Sequence, residues 1–459
     1  MAIDRSKLPA PGPDTILRFP EVRRTTLANG LGVTTVEHRG VPVVSFLLLL
    51  SCGSAADPSE RPGLAALTAD MLDEGSGDRS ALDMEDAISG IGAQFETEVG
   101  SDATVLSLLT LPRFTDTALG LLADIVTRPR LGRDDFDRVR ELRLNRLRQV
   151  RDLAPAVADL TLARLLYGGH PYGRLPIGTV GGLETSSADE VPWFHAQVWR
   201  PAQTTIVAAG DLPHRELAAA VERAFGGWEP RDGDRSVRLA VRDPIAAPAP
   251  ALPSARLALV DRPNAAQSEV RIGQVGVPRL TPDYYALMVL NAVLGGQFVS
   301  RLNMNLREDK GFTYGVRSGF EFRRAAGPFM VQAAVQTGVT ADAVREVLTE
   351  IREIASTRPA TAAELDLAKS ALTRGYARSF ETAGQIARGL AQLALYGLPE
   401  DTLEQFVPSV LAVDIDAVTA AAQRFDLSRM TVAIVGDREK VQPALEALDI
   451  GEVTAIDGE

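Results

Sequence analysis

One cysteine, Cys52, stands in 459 residues, which excludes an internal disulfide and any metal or iron–sulfur centre built on several thiolates. Histidine is almost as scarce. His38, His170, His195 and His214 are the only four, and no two lie within one helical turn, so a zinc-binding His pair on a single helix is excluded. No apolar run reaches the roughly 18 to 20 residues that a membrane-spanning helix needs, and the run Val43 to Leu50 has strand length instead. No long basic run occurs either, and a formal net charge of −12 argues against nucleic acid as a partner. Lysine is confined to Lys7, Lys310, Lys369 and Lys440, a bias that suggests a G- and C-rich genome and carries no mechanistic weight. The opening residues, MAIDRSKLPAPGPDTILRF, have neither an apolar core nor a small-residue cleavage pattern, so a cytoplasmic location is expected.

What is present reads as soluble and globular, with 45% hydrophobic and 24% charged residues in a chain too long for one ordinary core. A repeat organises it. TTIVAAGDLPHRELAAAVERAF in the first half and MTVAIVGDREKVQPALEAL near the end each combine an apolar strand, a Gly-Asp turn and a helix, with Asp211 and Asp437 separated by 226 residues. LARLLYG ends at Gly168 and LAQLALYG at Gly397, 229 residues apart. The matching offsets predict two copies of one fold. Between them DPIAAPAPALPSA, from Asp243 to Ala255, has no helical or strand periodicity and marks a semi-rigid linker. The expected domains are residues 1–230 and 256–459, joined by 231–255. Each copy opens with strand signals, Asn29-Gly30 turning into GVTTVEH and then VPVVSFLLLL in the first, ARLALVD followed by SEVRIGQVGV in the second. Long helical patterns follow. Strands mixed with long amphipathic helices, without regular βαβ alternation, predict an α+β fold: two homologous domains, each a mixed β-sheet with helices on one face, hinged at the Pro/Ala linker as a clamshell.

The segment RPGLAALTADMLDEGSGDRSALDMEDAISGIGAQFETEVGSDAT resembles the inverted-zincin segment of the pitrilysin and mitochondrial-processing-peptidase family, in which one helix carries H-x-x-E-H. There, two His at i and i+4 bind zinc on one helical face and the Glu is the general base. The resemblance puts Ala66, Ala69 and Asp70 at those three positions, so both imidazoles and the base are missing. A third ligand, a Glu on a later helix, falls within FDRVRELRLNRLRQVR around Asn145, Arg146 and Leu147, where no carboxylate stands. Asp70, Asp73 and Glu74 are left as a conceivable weak carboxylate site, against the commoner reading of solvated residues near a helix end. The likeness continues through GGHPYGRLPIGTVGG to the Gly-Asp turn. His170, before Pro171 and Tyr172, reads as a structural turn residue rather than an acid or base, and His195, beside Trp193 and Phe194, as a packed helix residue.

In the second half, LMVLNAVLGGQFVSRLNMNLREDKGFTYGVRSGFEF resembles the segment in which this family carries a substrate-binding Arg and Tyr, here Arg307 and Tyr314. Periodicity through Leu302 and Leu306 predicts a helix ending near Gly311, with Arg307 in its last turn and Tyr314 just beyond, entering a strand. The resemblance implies that Tyr314 donates to the scissile carbonyl oxygen and Arg307 to carbonyls of an extended peptide. The plainer readings are an Arg307–Glu308 surface pair and a packed aromatic. Gly295-Gly296 either admits a close backbone approach or simply ends a helix. Glu96, Thr97 and Thr104 are expected on an edge strand that holds peptide by strand addition in active relatives.

Taken over about residues 20–445, the resemblance implies a zinc-free subunit that supplies Arg307 and Tyr314 to a homologous H-x-x-E-H subunit. That heterodimer would cleave extended peptides with zinc in the partner and no metal here. Two other readings stand beside it: an inert scaffold like the core subunits of respiratory complexes, and a peptide-binding module that works alone.

Overall fold

The computed structural model describes residues 17–231, 236–250 and 256–456. It contains two six-stranded sheets whose strands correspond position by position. In the first, the order is Val22–Thr26, Gly32–Glu37, Thr204–Gly210, Val44–Leu50, Thr104–Thr110 and Gln94–Val99. In the second it is Val453–Ile456, Leu257–Asp261, Thr431–Gly436, Gln267–Val275, Pro328–Gln336 and Val316–Phe320. The Gly-Asp repeat is the third position in both: Asp211 and Asp437 each follow a strand that runs parallel to one neighbour and antiparallel to the other. The outermost strands differ, because the first half draws its from its beginning, antiparallel to its neighbour, and the second from its end, parallel.

The expected helices cover one face of each sheet. Phe46, Leu48, Leu106, Ile206 and Ala208 pack on the first half's own helices, and Val270, Ile272, Val331 and Ile434 on those of the second. The runs Val44–Leu50 and Thr431–Gly436 are buried at every residue, however, so both of their faces must be covered. The second cover is exchanged between halves. Ile386, Ala387, Leu390 and Leu393 of the helix Ala383–Tyr396 lie on Leu47, Leu49, Val207 and Ala209 of the first sheet. Reciprocally, the helix Ala154–Tyr167 lays Val157, Ala158, Leu162 and Leu166 on Val260, Ala433 and Val435 of the second. These are the two Tyr-Gly repeats: Gly168 (φ 51°) and Gly397 (φ 62°) stop equivalent helices in a backbone region that suits glycine. Each buried Leu, Ile or Val stabilises by about 1.5–3 kcal/mol. A hinge at the linker would have to separate both apolar layers.

A polar latch joins the halves where equivalent hairpin loops meet. Asp102 accepts from the Tyr172 hydroxyl at 2.5 Å and from the Arg324 backbone N–H at 2.7 Å, and the Tyr172 oxygen accepts from the Ala325 N–H at 3.1 Å. Tyr167 and Tyr396, the last residues of the two exchanged helices, donate to the carbonyls of Ala326 and Phe322. The described residues between Phe225 and Leu257 form neither helix nor strand, and 251–255 of the expected linker lie outside the described residues. No single helix among the described residues is long and apolar enough to cross a membrane.

Candidate functional site

The helix Leu64–Asp70 is started by a side chain from outside it. Asp57 accepts from the backbone N–H groups of Gly63 (2.6 Å) and Ala65 (2.7 Å), which a helix N-terminus otherwise leaves unpaired. Burial pushes the Asp57 carboxyl up to about 7, against the pull of those two N–H donors. Ala66 and Ala69 are buried, each 2% exposed, and offer a metal only methyl groups. Asp70 is ion-paired to Arg143 of the helix Arg133–Arg151. Asn145 and Arg146 face solvent and Leu147 enters the core, and the side chain of this helix that pairs with Asp70 is Arg143, which precedes the three aligned positions in the same segment. A guanidinium cannot give up its proton here, and its Nε has no partner in the structure. Glu74 is paired with Arg138, and no group of three or more His, Cys, Asp or Glu among the described residues could hold a metal. The residues therefore do not fit a zinc ion.

The Arg/Tyr segment begins where the helix Tyr284–Leu294 ends at Gly295; a Cβ on Gly295 would stand 2.5 Å from the Ser318 hydroxyl and one on Gly296 2.5 Å from Asn291 Nδ2. The glycine pair ends a helix and also admits close packing. A short α-turn, Arg301–Asn303, runs on into a π-helical turn, Met304–Asp309, in which Lys310 N–H reaches back to the Asn305 carbonyl. Gly311 (φ 64°) then reverses the chain, and Phe312 N–H bonds the Leu306 carbonyl at 2.8 Å. Arg307 is fixed within its own segment: its guanidinium lies 3.6 Å from the Phe298 ring centroid, Nη2 donates to the Phe298 carbonyl at 3.0 Å and Nε to Glu308 at 2.7 Å. The Glu308 pair foreseen as the plain alternative is thus real, and the Phe298 contact was not foreseen. Tyr314 is 94% exposed and not a packed aromatic. Its backbone is held by Thr313, whose hydroxyl donates to the Ala334 carbonyl at 2.6 Å, and by Asn303, which both donates to and accepts from the Val316 main chain.

Glu96 and Thr97 lie on the edge strand Gln94–Val99 as expected, whereas Thr104 does not. It begins the next strand inward, buried, and donates to the Cys52 carbonyl at 2.9 Å, because the chain turns at Gly100 and Ser101. The two equivalent edges differ. The bonds from Asn303, and Ser318 N–H on the Gly295 carbonyl, close the Val316–Phe320 edge, while among the described residues nothing caps Gln94–Val99 on its outer side. The histidines are dispersed and structural. His170 Nδ1 accepts from Tyr172 N–H at the start of a 3-10 turn, and His195 stacks on Trp199 with Nε2 on the Val126 carbonyl. His214 bonds Thr35, and His38 bonds the Glu381 carbonyl.

Two family models match the chain. One, described as Insulinase (Peptidase family M16), covers residues 33–179, and the other, Peptidase M16 inactive domain, covers 186–372. An uncharacterized zinc protease of Mycobacterium tuberculosis is 29% identical over 416 residues, spanning 90% of this chain and 93% of that protein. A probable mitochondrial-processing peptidase subunit beta of Schizosaccharomyces pombe is 26% identical over 293 residues, 62% of each. A crystal structure of a peptidase M16 inactive domain from Pseudomonas fluorescens superposes with a TM-score of 0.82 at 27% identity, over 91% of this chain and 98% of that one. A protease from Helicobacter pylori shares the fold with a TM-score of 0.84 at 20% identity, over 91% and 100%. Two sheet-and-helix halves and these matches across both of them lead to one conclusion: the chain belongs to the M16 peptidase family.

Proposed function

We propose that this chain is the zinc-free half of a two-subunit peptidase, with residues 1–230 and 256–459 as its domains, and that Arg307 and Tyr314 bind extended peptide for a homologous subunit that carries the metal. One observation carries the reading: Tyr314 projects at 94% exposure from a backbone pinned on both sides, in the same short segment as an Arg307 held in place by stacking on Phe298. An aromatic left bare on a rigid base is what a group waiting for a second surface requires. The interlocked halves support it further, since closure around a peptide then calls for a second chain. Within such a complex Tyr314 donates its hydroxyl proton toward the carbonyl oxygen that gains negative charge, and Arg307 offers its remaining N–H groups to peptide carbonyls.

The test mixes this chain with an H-x-x-E-H family subunit from the same organism and follows cleavage of an unstructured peptide. Tyr314→Phe, which removes one donor aimed at the developing oxyanion, is expected to lower kcat by about a hundredfold. Arg307→Ala is expected to raise KM with kcat retained, its contact being equal in ground and transition states. Unchanged kinetics in both variants, with the complex still formed, would reduce the chain to a scaffold. The uncapped Gln94–Val99 edge favours a second reading, peptide capture by strand addition without cleavage, for which a peptide would bind the isolated chain.

A further inference from the structure

The backbone that carries Arg307 and the Arg307 guanidinium are fixed by different groups. A π-helical turn such as Met304–Asp309 is rare and is frequently found at functional sites. Here it is anchored on the helix Thr340–Ile354: Asn305 Nδ2 donates to Glu346 at 3.1 Å and to the buried Glu350 at 2.8 Å. Lys310 closes the set, donating to Asn305 Oδ1 at 2.7 Å and pairing with Glu346 at 2.9 Å. None of these groups touches the guanidinium. That is held by the stack on the Phe298 ring, by the Phe298 carbonyl on Nη2 and by Glu308 on Nε. Of five guanidinium N–H groups, three are left for a ligand. The Arg307 side chain is 14% exposed in this arrangement, whereas Phe298 is 73% exposed and belongs to none of the apolar clusters of either half. The core does not call for an aromatic at this position, and among the described residues its one cation or ring contact is Arg307.

We infer that Phe298 is a positioning residue for peptide binding: its ring fixes the plane of the Arg307 guanidinium, so that the three remaining N–H groups are presented in one orientation. An arginine stem is long and has several rotatable bonds, and stacking on a ring face restrains the planar group at its end. The entropy of ordering that group is then lost on folding rather than on binding. A peptide laid over this segment also takes water from the exposed ring, and a cation–π contact strengthens as it is desolvated. Phe298 acts in this way only if Arg307 binds peptide as proposed, and the experiment separates the two.

The full chain, mixed with its H-x-x-E-H family subunit and an unstructured peptide, provides the test. Phe298→Leu keeps an apolar side chain and loses the π face; it is expected to raise KM about threefold to tenfold with kcat retained, the signature of a group acting through Arg307. Phe298→Trp, which offers a better stacking face, should bring KM back to within about twofold of the wild type. In an Arg307→Ala background, Phe298→Leu should add less than about twofold, because a positioning residue has nothing left to position. Urea unfolding of each variant reads stability alone. If Arg307→Ala leaves KM unmoved, peptide binding by Arg307 fails and the role of Phe298 falls with it. If Arg307→Ala raises KM and Phe298→Leu does not, or raises it equally in both backgrounds, the role of Phe298 alone is overturned. A lowered urea midpoint with KM unchanged overturns it too, by making the ring a structural element.

Discussion

Replacing either partner of the Asp70–Arg143 pair should have unequal consequences. Arg143 is 8% exposed and the Asp70 side chain 42%, so the guanidinium is the buried member and the carboxylate the wetter one. Asp70→Ala leaves a cation that cannot be neutralised, with an Nε that already lacks a partner. Breaking a fully buried pair from one side costs about 3–5 kcal/mol; with Asp70 more than a third exposed, solvent screening reduces the expectation to about 1–2 kcal/mol. Arg143→Met removes both the charge and the unpaired Nε while keeping an apolar stem of similar length, and should fall between no effect and about 1 kcal/mol of stabilisation. The double variant should match Arg143→Met within about 0.5 kcal/mol, because Asp70 has then lost the only reason its removal was costly. Urea unfolding read by tryptophan fluorescence suits the measurement: Trp193, Trp199 and Trp228 are buried in the same half. If Arg143→Met costs as much as Asp70→Ala, the buried guanidinium is a structural asset rather than a net cost, and the reasoning fails.

His195 gives a pH prediction. Burial holds its pKa at about 4, below the ordinary 6.5, so between those values the folded chain binds fewer protons than the unfolded one; the stability it contributes is complete above 6.5 and is lost as pH falls toward 4, by up to about 3 kcal/mol. Urea midpoints at pH 7 and pH 4.5 should separate more in the wild type than in His195→Gln, and equal separations would count against it. Tyr172→Phe strips Asp102 of one donor and the Ala325 N–H of its acceptor, and is expected to destabilise the chain by about 2–3 kcal/mol in the same assay; a loss under about 0.5 kcal/mol would mean that the latch contributes nothing.

Local chemistry was legible in the linear sequence. Alanine at positions 66 and 69 has no side-chain atom that can ligate a metal or act as a base in any fold. The Tyr-Gly and Gly-Asp repeats mark helix and strand ends, because glycine at positive φ and a buried apolar strand are decided over a few residues. So is the reversal at Gly311 that exposes Tyr314. Thr104 was misassigned because two strands joined by so short a turn read as one. Contacts between distant segments could not be read this way. Arg143 meets Asp70 across 73 residues, Arg324 meets Asp102 across 222, and the helices ending at Tyr167 and Tyr396 leave their own sheets for each other's. Helical periodicity states that a face is apolar but not which sheet it will cover, and a guanidinium is paired only by the packing that brings a carboxylate to it. The sequence by itself determined that positions 66 and 69 are alanine and that Arg307 and Tyr314 share one short segment; the tertiary structure decided that Asp70 is bound by Arg143, that the two halves interlock, and that Tyr314 stands bare at the surface.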